Sequence, residues 1–160
     1  MIRQRKPITP EKAIVRLEEL CARSEQCTSD ARKKLQTWGI SSSDAEKIIA
    51  SLIAKRFIDD ERFCQAYVRD KFRFSKWGKR KIMAALMMKR LDRNKIEKAL
   101  ETIDNQDYID CLQYIISTKA KSMADSDSYD GRTRLFRFAA SRGFEPDLIS
   151  KVIRRMANEG

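Results

Sequence analysis

The sequence predicts an all-α fold in which three three-helix repeats follow one another in a tandem array and form an elongated, curved body. Apolar residues recur at spacings of three and four rather than two, which indicates helices and not strands. The same apolar pattern also occurs three times, about fifty residues apart, within the range expected of repeat architectures. Units that follow one another in series favour an extended body over a sphere.

Each repeat contains five apolar positions separated by five, five, four and three residues. The first step crosses the end of one helix and a tight turn, and the later steps are the apolar stripe of a second amphipathic helix. The positions are Leu35, Ile40, Ala45, Ile49 and Leu52; Leu86, Leu91, Ile96, Leu100 and Ile103; and Ala139, Phe144, Ile149, Ile153 and Met156.

The residue before the second apolar position is Gly39, Arg90 or Gly143. Glycine suits the left-handed residue that commonly ends a helix. Ser41 to Asp44, or Glu145 with Pro146, would then start the next helix. Arg90 breaks this pattern, so the middle turn is expected to close in another way.

A further helix precedes each pair, over residues 11–23, 60–76 and 106–123. The chain is therefore expected to comprise a flexible basic leader at 1–9 and three-helix units at 10–57, 58–104 and 105–157. Helices this short are marginal alone and depend on packing against their neighbours. Residues 124–131, ADSDSYDG, are expected to form a solvated flexible loop, because their Asp spacing does not match a calcium loop.

The composition argues against an enzyme and against a metal site. Histidine is absent, which removes Ser-His and Cys-His nucleophile pairs and histidine ligands. The four cysteines form no CxxC pair, so we expect them to be reduced and mostly buried. No P-loop or dinucleotide fingerprint is present. We therefore expect no catalytic residues, no cofactor and no metal.

Charge and hydropathy suggest the partner and the compartment. Lys and Arg number 34 against 23 Asp and Glu, a formal net charge of +11, which suits a phosphate-rich or acidic partner. The first twenty residues lack the apolar run of a signal peptide, and no window approaches the roughly 20 apolar residues of a membrane span. A cytoplasmic monomer without a membrane partner is expected.

Residues 67–82, YVRDKFRFSKWGKRKI, hold seven Lys or Arg, one Asp and four aromatic residues. At about 100° per residue, two apolar rows form on the helix before Lys76, so its aromatic residues are predicted to be core. Those rows contain Phe63, Ala66, Tyr67 and Phe74, and Cys64, Val68 and Phe72. No role is assigned to Trp77.

The cations of this region are predicted to face outward. Arg62, Arg69, Arg73 and Lys76 occupy the one strip that the apolar rows leave free. Lys79, Arg80 and Lys81 follow Gly78 at a helix start, where the helix dipole disfavours cations and favours anions. Residues 69–98 hold twelve Lys or Arg and three Asp or Glu, whereas residues 99–131 hold two and seven. The sequence thus predicts a charge-polarised body with a basic surface on the middle unit.

The segment 57–86, FIDDERFCQAYVRDKFRFSKWGKRKIMAAL, resembles the signature of the RecX family of recombination regulators. Residues 21–40 and 134–149 resemble the first and third units of that family. The signature positions are Phe57, Ile58, Asp60, Arg62, Phe63, Tyr67, Val68, Arg69, Lys76, Gly78, Ile82 and Leu86. Cys64 replaces the usual Ala, and Arg90 with Leu91 replaces the usual Gly-Ile.

The resemblance implies an array of three-helix repeats that modulates, usually by inhibition, the RecA recombinase in homologous recombination, DNA repair and the SOS response. The partner would be the RecA protein in its nucleoprotein filament, and no catalysis is implied. The predicted contact surface is Arg62, Arg69, Arg73, Lys76, Lys79, Arg80 and Lys81.

Two other interpretations stay open at this point. The protein could be a stand-alone DNA-binding protein that acts through phosphate contacts, on single- or double-stranded DNA. The predicted burial of its aromatic residues weakens a stacking platform for single strands. An enzyme is a distant third. The residues also leave open whether the basic surface would meet the filament's acidic protein surface, its DNA, or both.

Overall fold

The structure is a computed structural model that describes residues 6–159, and this part of the chain contains nine helices and no strand. The helices are α1 (Pro10–Arg23), α2 (Thr28–Thr37), α3 (Ser42–Ala54), α4 (Asp60–Arg73), α5 (Lys79–Met88), α6 (Arg93–Leu100), α7 (Asn105–Lys121), α8 (Tyr129–Ser141) and α9 (Pro146–Glu159). The prediction of an all-α helical repeat fold is confirmed.

Helices pack most closely within consecutive groups of three: α1–α3, α4–α6 and α7–α9. Side chains at several helix starts accept a backbone N–H, which is the usual role of Ser, Thr and Asp at an N-cap. These caps are Thr9, Ser41, Asp59, Asp92, Asp104 and Ser128. The unit boundaries and the curvature of the whole body stay predictions.

The turn between the second and third helix of each group has the same conformation. Gly39 and Gly143 lie at φ +82° and +98°, and Arg90 lies at φ +56°. The expectation that the middle turn would close differently is therefore wrong. The arginine side chain is exposed, so it accepts the left-handed conformation at a cost of roughly 1–2 kcal/mol.

The described residues form two hydrophobic cores. One belongs to α1–α3, whereas the other runs without a break through α4–α9 and includes Cys27. All five repeat positions are buried in the first two units, and in the third Ile153 and Met156 are partly buried. Among the described residues the cysteines are unpaired, with Cys27 and Cys64 buried and Cys21 and Cys111 half-buried.

Phe74 is the aromatic residue that the sequence placed wrongly, since its side chain is 74% exposed. Helix α4 ends at Arg73, one turn short of the predicted helix, so the angular position of Phe74 on a longer helix no longer applies. Phe63 is buried, as predicted, and Tyr67 and Phe72 are half-buried against the same core.

The connection before α8 is shorter than expected. Helix α8 begins at Tyr129, with Ser128 as its cap, and Gly131 lies inside the helix against the backbone of Asp125. Asp125 also pairs with Arg134. The predicted loop of residues 124–131 is thus a compact turn followed by a helix start.

The N-terminal leader lies only partly within the described residues, since residues 1–5 fall outside them. Pro7 lies against Gly39, and the N–H of Ile8 donates to the carbonyl oxygen of Trp38 at 3.2 Å. The end of the leader therefore packs on the first unit. In the described part of the chain, no helix is long and apolar enough to cross a membrane.

Candidate interaction surface

Three of the predicted surface residues line one wall of an open groove between α4 and α7. Arg69, Arg73 and Lys76 belong to this wall, and the groove has a volume of about 690 Å³. Apolar side chains, Phe72 and Ile103 among them, also line it. We call this the α4–α7 groove.

The opposite wall of the α4–α7 groove is acidic. Asp104 caps α7, and Asp107 and Asp110 follow on that helix. Of the wall cations, Arg69 pairs with its neighbour Asp70, and no ion pair crosses the groove within residues 6–159. The sequence indicated separate basic and acidic segments, and the fold places their charges on facing walls.

Lys76 reaches across the groove in a conformation that sequence reasoning did not anticipate. Its backbone is left-handed, with φ +55°, and its Nζ lies 5.6 Å from the ring centroid of Tyr114, a residue of α7. The Tyr114 side chain is 58% exposed. A cation over an exposed aromatic face keeps its charge available to a partner while it is held in place.

Trp77, to which the sequence assigned no role, makes cation–π contacts with two lysines. Its half-buried ring packs on the core, with the Nζ of Lys71 at 4.7 Å and that of Lys81 at 4.6 Å from the ring centroid. Lys79 lies in the same way over Tyr108, at 4.9 Å. Lys79 and Lys81 are therefore half-buried on aromatic rings, and Arg80 is the exposed member of the predicted cluster.

The start of α5 is not a free anion site, which corrects the sequence prediction. The N–H of Gly78 donates to the carbonyl oxygen of Arg142 at 2.7 Å, and that of Arg80 donates to Gly143 at 3.0 Å. The N–H of Lys79 donates to the Tyr108 hydroxyl at 2.9 Å. The third unit thus already satisfies the backbone donors that an anion would need.

Two glycines allow the start of α5 to lie close to the backbone of the third unit. A Cβ on Gly78 would overlap the backbone of Gly143, and a Cβ on Gly143 would overlap Lys81. Both glycines belong to segments that resemble the family signature, one in the middle unit and one in the third. Their shared function in this structure is close backbone approach between the two units.

Tyr108 completes the contact between the second and third units. Its hydroxyl accepts from Lys79 and donates to the Glu145 carboxylate at 2.8 Å. Burial raises the pKa of Tyr108 well above its ordinary value, and the hydrogen bond to Glu145 and its charge raise it further. The residue is therefore a neutral hydrogen-bonding link and not an acid or base for chemistry.

Arg62 lies apart from the other predicted residues. Its guanidinium pairs with Glu25 and donates to the carbonyl oxygens of Arg56 and Phe57. The side-chain hydrogen bond and charge of Glu25 raise the pKa of Arg62. This cation connects the first unit to the second, so it does not belong to the α4–α7 groove.

Two further polar contacts join the first and second units. The Asp60 carboxylate accepts from the N–H and the hydroxyl of Thr28, at 2.8 and 3.0 Å. Lys89 donates to Asp30 at 2.8 Å. Burial opposes ionisation of Asp30, but the hydrogen bonds from Lys89 and Cys27 and the Lys89 charge outweigh it and lower the pKa of Asp30.

The groove offers charged contacts but no arrangement of groups suited to a metal. Within residues 6–159 no cluster of three Cys, Asp or Glu side chains could hold a metal ion. What the surface can do chemically is bind a partner through opposite charges and exposed rings. The sequence missed the acidic wall, because nothing in one sequence pairs α4 with α7.

The chain matches two domain models of one known family and resembles proteins of that name. Residues 59–100 match the family model for the second three-helix domain of RecX, and residues 106–153 match that for the third. "Regulatory protein RecX" of Clostridium botulinum (strain Eklund 17B) is 28% identical over 138 residues, 85% of this chain and 64% of that protein. The chain therefore spans slightly less than two thirds of that relative's length. The Clostridium perfringens (strain 13) protein of the same name is 26% identical over 159 residues, 96% of this chain and 74% of the relative.

Solved structures show the same fold. The crystal structure of RecX from Lactobacillus salivarius has a TM-score of 0.80 at 22% identity, covering 91% of this chain and 95% of that one. Helices α4 to α9 form the α4–α7 groove and bring Gly78 close to Gly143. These helices lie mostly within the two matched domains. The two domains together cover more than half of the sequence. The chain accordingly belongs to the RecX family.

Proposed function

We propose that this protein regulates homologous recombination by binding the RecA–DNA filament and inhibiting RecA recombinase, with no catalysis of its own. Membership of the RecX family supports a regulatory role, since the relatives described above are named regulatory proteins. The observation that carries the proposal is the α4–α7 groove, where Arg73 and Lys76 have no carboxylate partner among the described residues.

The two signs of charge in this groove favour a protein partner over bare DNA. Asp104, Asp107 and Asp110 would repel phosphates, whereas a protein surface can present an acidic patch to one wall and a basic patch to the other. We propose that the groove contacts the RecA protein. Arg80, together with Lys79 and Lys81, supplies further cations for the acidic surface or the DNA of the filament.

A charge-reversal variant tests the surface. Arg69, Arg73 and Lys76 are replaced together by Glu, and inhibition of RecA strand exchange and of RecA ATP hydrolysis is measured. Because like charges across a contact are strongly unfavourable, we expect the concentration for half-inhibition to rise at least tenfold. Co-sedimentation with RecA filaments should weaken in parallel.

The matched control reverses three exposed cations of the first unit, Lys33, Lys47 and Lys55, so that net charge changes equally. This variant should inhibit like the wild type. Equal loss in both variants would show a general charge effect and remove the groove from the proposal. No inhibition by the wild-type protein would contradict the regulatory function itself.

A further inference from the structure

A second groove lies in the third unit, between α8 and α9, and its volume is about 790 Å³. Each helix contributes one face, with lining residues at spacings typical of a helical stripe. The lining consists of Tyr129, Arg132, Thr133, Phe136 and Arg137 from α8, and Ser150, Ile153, Arg154, Ala157 and Asn158 from α9. We call it the α8–α9 groove.

The α8–α9 groove is purely basic. Arg132, Arg137 and Arg154 are exposed, no carboxylate lines the groove, and none of the three forms an ion pair with a described residue. All three cations are arginines, whose planar guanidinium matches the geometry of phosphate. The α4–α7 groove, in contrast, has an acidic wall. The charge of the α8–α9 groove therefore complements a polyanion.

Among the large apolar side chains that line this groove, Tyr129 is the one that is mostly exposed. Tyr129 is 86% exposed, whereas Phe136 and Ile153 are half-buried and pack against the core. An amphipathic peptide helix would need a row of exposed apolar contacts one and two turns apart. A lone exposed ring beside cations suits a stacked nucleobase with its phosphates in the groove.

We propose that the α8–α9 groove binds single-stranded DNA, with Arg132, Arg137 and Arg154 on the phosphates and Tyr129 stacked on a base. Contacts to phosphates and to a base ring do not require the 2′-hydroxyl that distinguishes RNA from DNA. The Thr133 hydroxyl also lines the groove, but its hydrogen is already donated to the carbonyl oxygen of Tyr129. The choice of DNA over RNA also draws on the proposed function, since a RecA filament contains DNA. The site itself is distinct from the α4–α7 groove.

Binding of a fluorescein-labelled oligothymidine of about 20 nucleotides by the full chain, without RecA, tests the proposal. Replacing the three arginines by Gln should weaken binding at least tenfold. Since each phosphate contact on a single strand contributes about 0.7 to the slope of log K against log salt, the slope should fall by about 2. Tyr129→Ala should weaken binding about tenfold, and Tyr129→Phe should bind like the wild type, because it keeps the ring.

Two control variants separate this site from the rest of the molecule. Gln at Lys33, Lys47 and Lys55 makes the same charge change elsewhere and should leave binding within twofold. Gln at Arg69, Arg73 and Lys76 should also retain DNA binding, even where it reduces RecA inhibition. Failure of either proposal can therefore be recognised without reference to the other.

Several outcomes would overturn the proposal. Equal affinity for duplex DNA with no effect of Tyr129→Ala would mean that the protein adheres to phosphates nonspecifically. Tighter binding of oligouridine would assign the groove to RNA, and displacement by poly-glutamate at comparable charge would assign it to an acidic protein segment. Ultraviolet crosslinking of the wild-type protein to the oligothymidine provides evidence independent of the variants: a crosslink at Tyr129 supports the site, and crosslinks confined to other units contradict it.

Discussion

At the scale of single residues, backbone conformation explains where this sequence departs from its own repeat. Gly39, Arg90 and Gly143 are all left-handed and occupy equivalent turns. Glycine adopts this conformation without steric cost. In arginine the Cβ lies too close to the following carbonyl oxygen, which raises the conformational energy. The middle turn is thus the strained one of the three.

Replacement of Arg90 by Gly should stabilise the protein. Relief of the left-handed strain outweighs the greater entropy of glycine in the unfolded chain, so we expect a gain of up to about 1 kcal/mol in the free energy of unfolding. Urea denaturation followed by circular dichroism measures it. Ala in the same position keeps the Cβ and serves as the control, and a gain with Ala equal to that with Gly would contradict the explanation.

At the scale of elements, the start of α5 depends on the third unit. Three consecutive N–H groups donate to Arg142, Tyr108 and Gly143, and Gly78 and Gly143 bring the two backbones together. These bonds join the middle and third units, which share one core. The two bonds to Arg142 and Gly143 connect segments about sixty residues apart in the chain.

Tyr108→Phe tests this connection. The substitution leaves the N–H of Lys79 and the carboxylate of Glu145 without their partner in a partly buried position. A cost of about 1–3 kcal/mol in the free energy of unfolding is expected. Tyr114→Phe is the control, since that tyrosine is exposed and its change should stay within about 0.5 kcal/mol. Similar effects of the two substitutions would mean that the Tyr108 hydroxyl contributes little.

The elements also show what the sequence could predict of the candidate surface. Arg69 and Arg73 lie one turn apart on α4, so local helix geometry places them together, as the sequence predicted. Lys76 lies beyond the end of α4, and its position beside them depends on its left-handed backbone and its contact with Tyr114. The acidic wall, the lysine–tryptophan contacts and the occupied start of α5 depend on which helix packs on which. Periodicity within one segment does not contain that information.

At the scale of the whole molecule, the first unit joins the rest through Cys27, which is buried in the second core, and through polar contacts. Thr28 binds Asp60, Glu25 binds Arg62, and Asp30 binds Lys89 between the first unit and the rest. Polar contacts depend on ionisation in a way that an apolar core does not. The attachment of the first unit is therefore the part of the fold that should respond most to pH.

Asp30→Asn should lower the free energy of unfolding by about 1–2 kcal/mol at pH 7, because Lys89 loses its charged partner. The fold lowers the pKa of Asp30, so its stabilisation is present above the unfolded value of about 3.9 and is lost as pH falls through the folded value. The fold also raises the pKa of Lys89. The stabilisation from its charge is therefore fully present below the unfolded pKa of about 10.4 and is lost as pH rises through the higher folded pKa. The difference between variant and wild type should thus be constant from about pH 5 to 9 and be lost at acid pH, as pH falls through the lowered pKa of Asp30.

Urea denaturation of both proteins at several pH values measures this difference. Glu46→Gln breaks an exposed ion pair with Arg32 and serves as the control, with little effect expected at any pH. A difference between Asp30→Asn and the wild type that persisted at acid pH would show that the effect does not come from the charge of Asp30.

The sequence by itself determined the helices, the threefold repeat, most of the buried positions and the excess of cations in the middle unit. These follow from periodicity, capping residues and composition, which act over one or two helical turns. Only the tertiary structure decided that Phe74 is exposed, that Arg62 joins two units, that the basic wall faces Asp107 and Asp110, and that α8 and α9 enclose an arginine-lined groove. Each of these depends on contacts between segments far apart in the chain, which are set by close packing around the two cores.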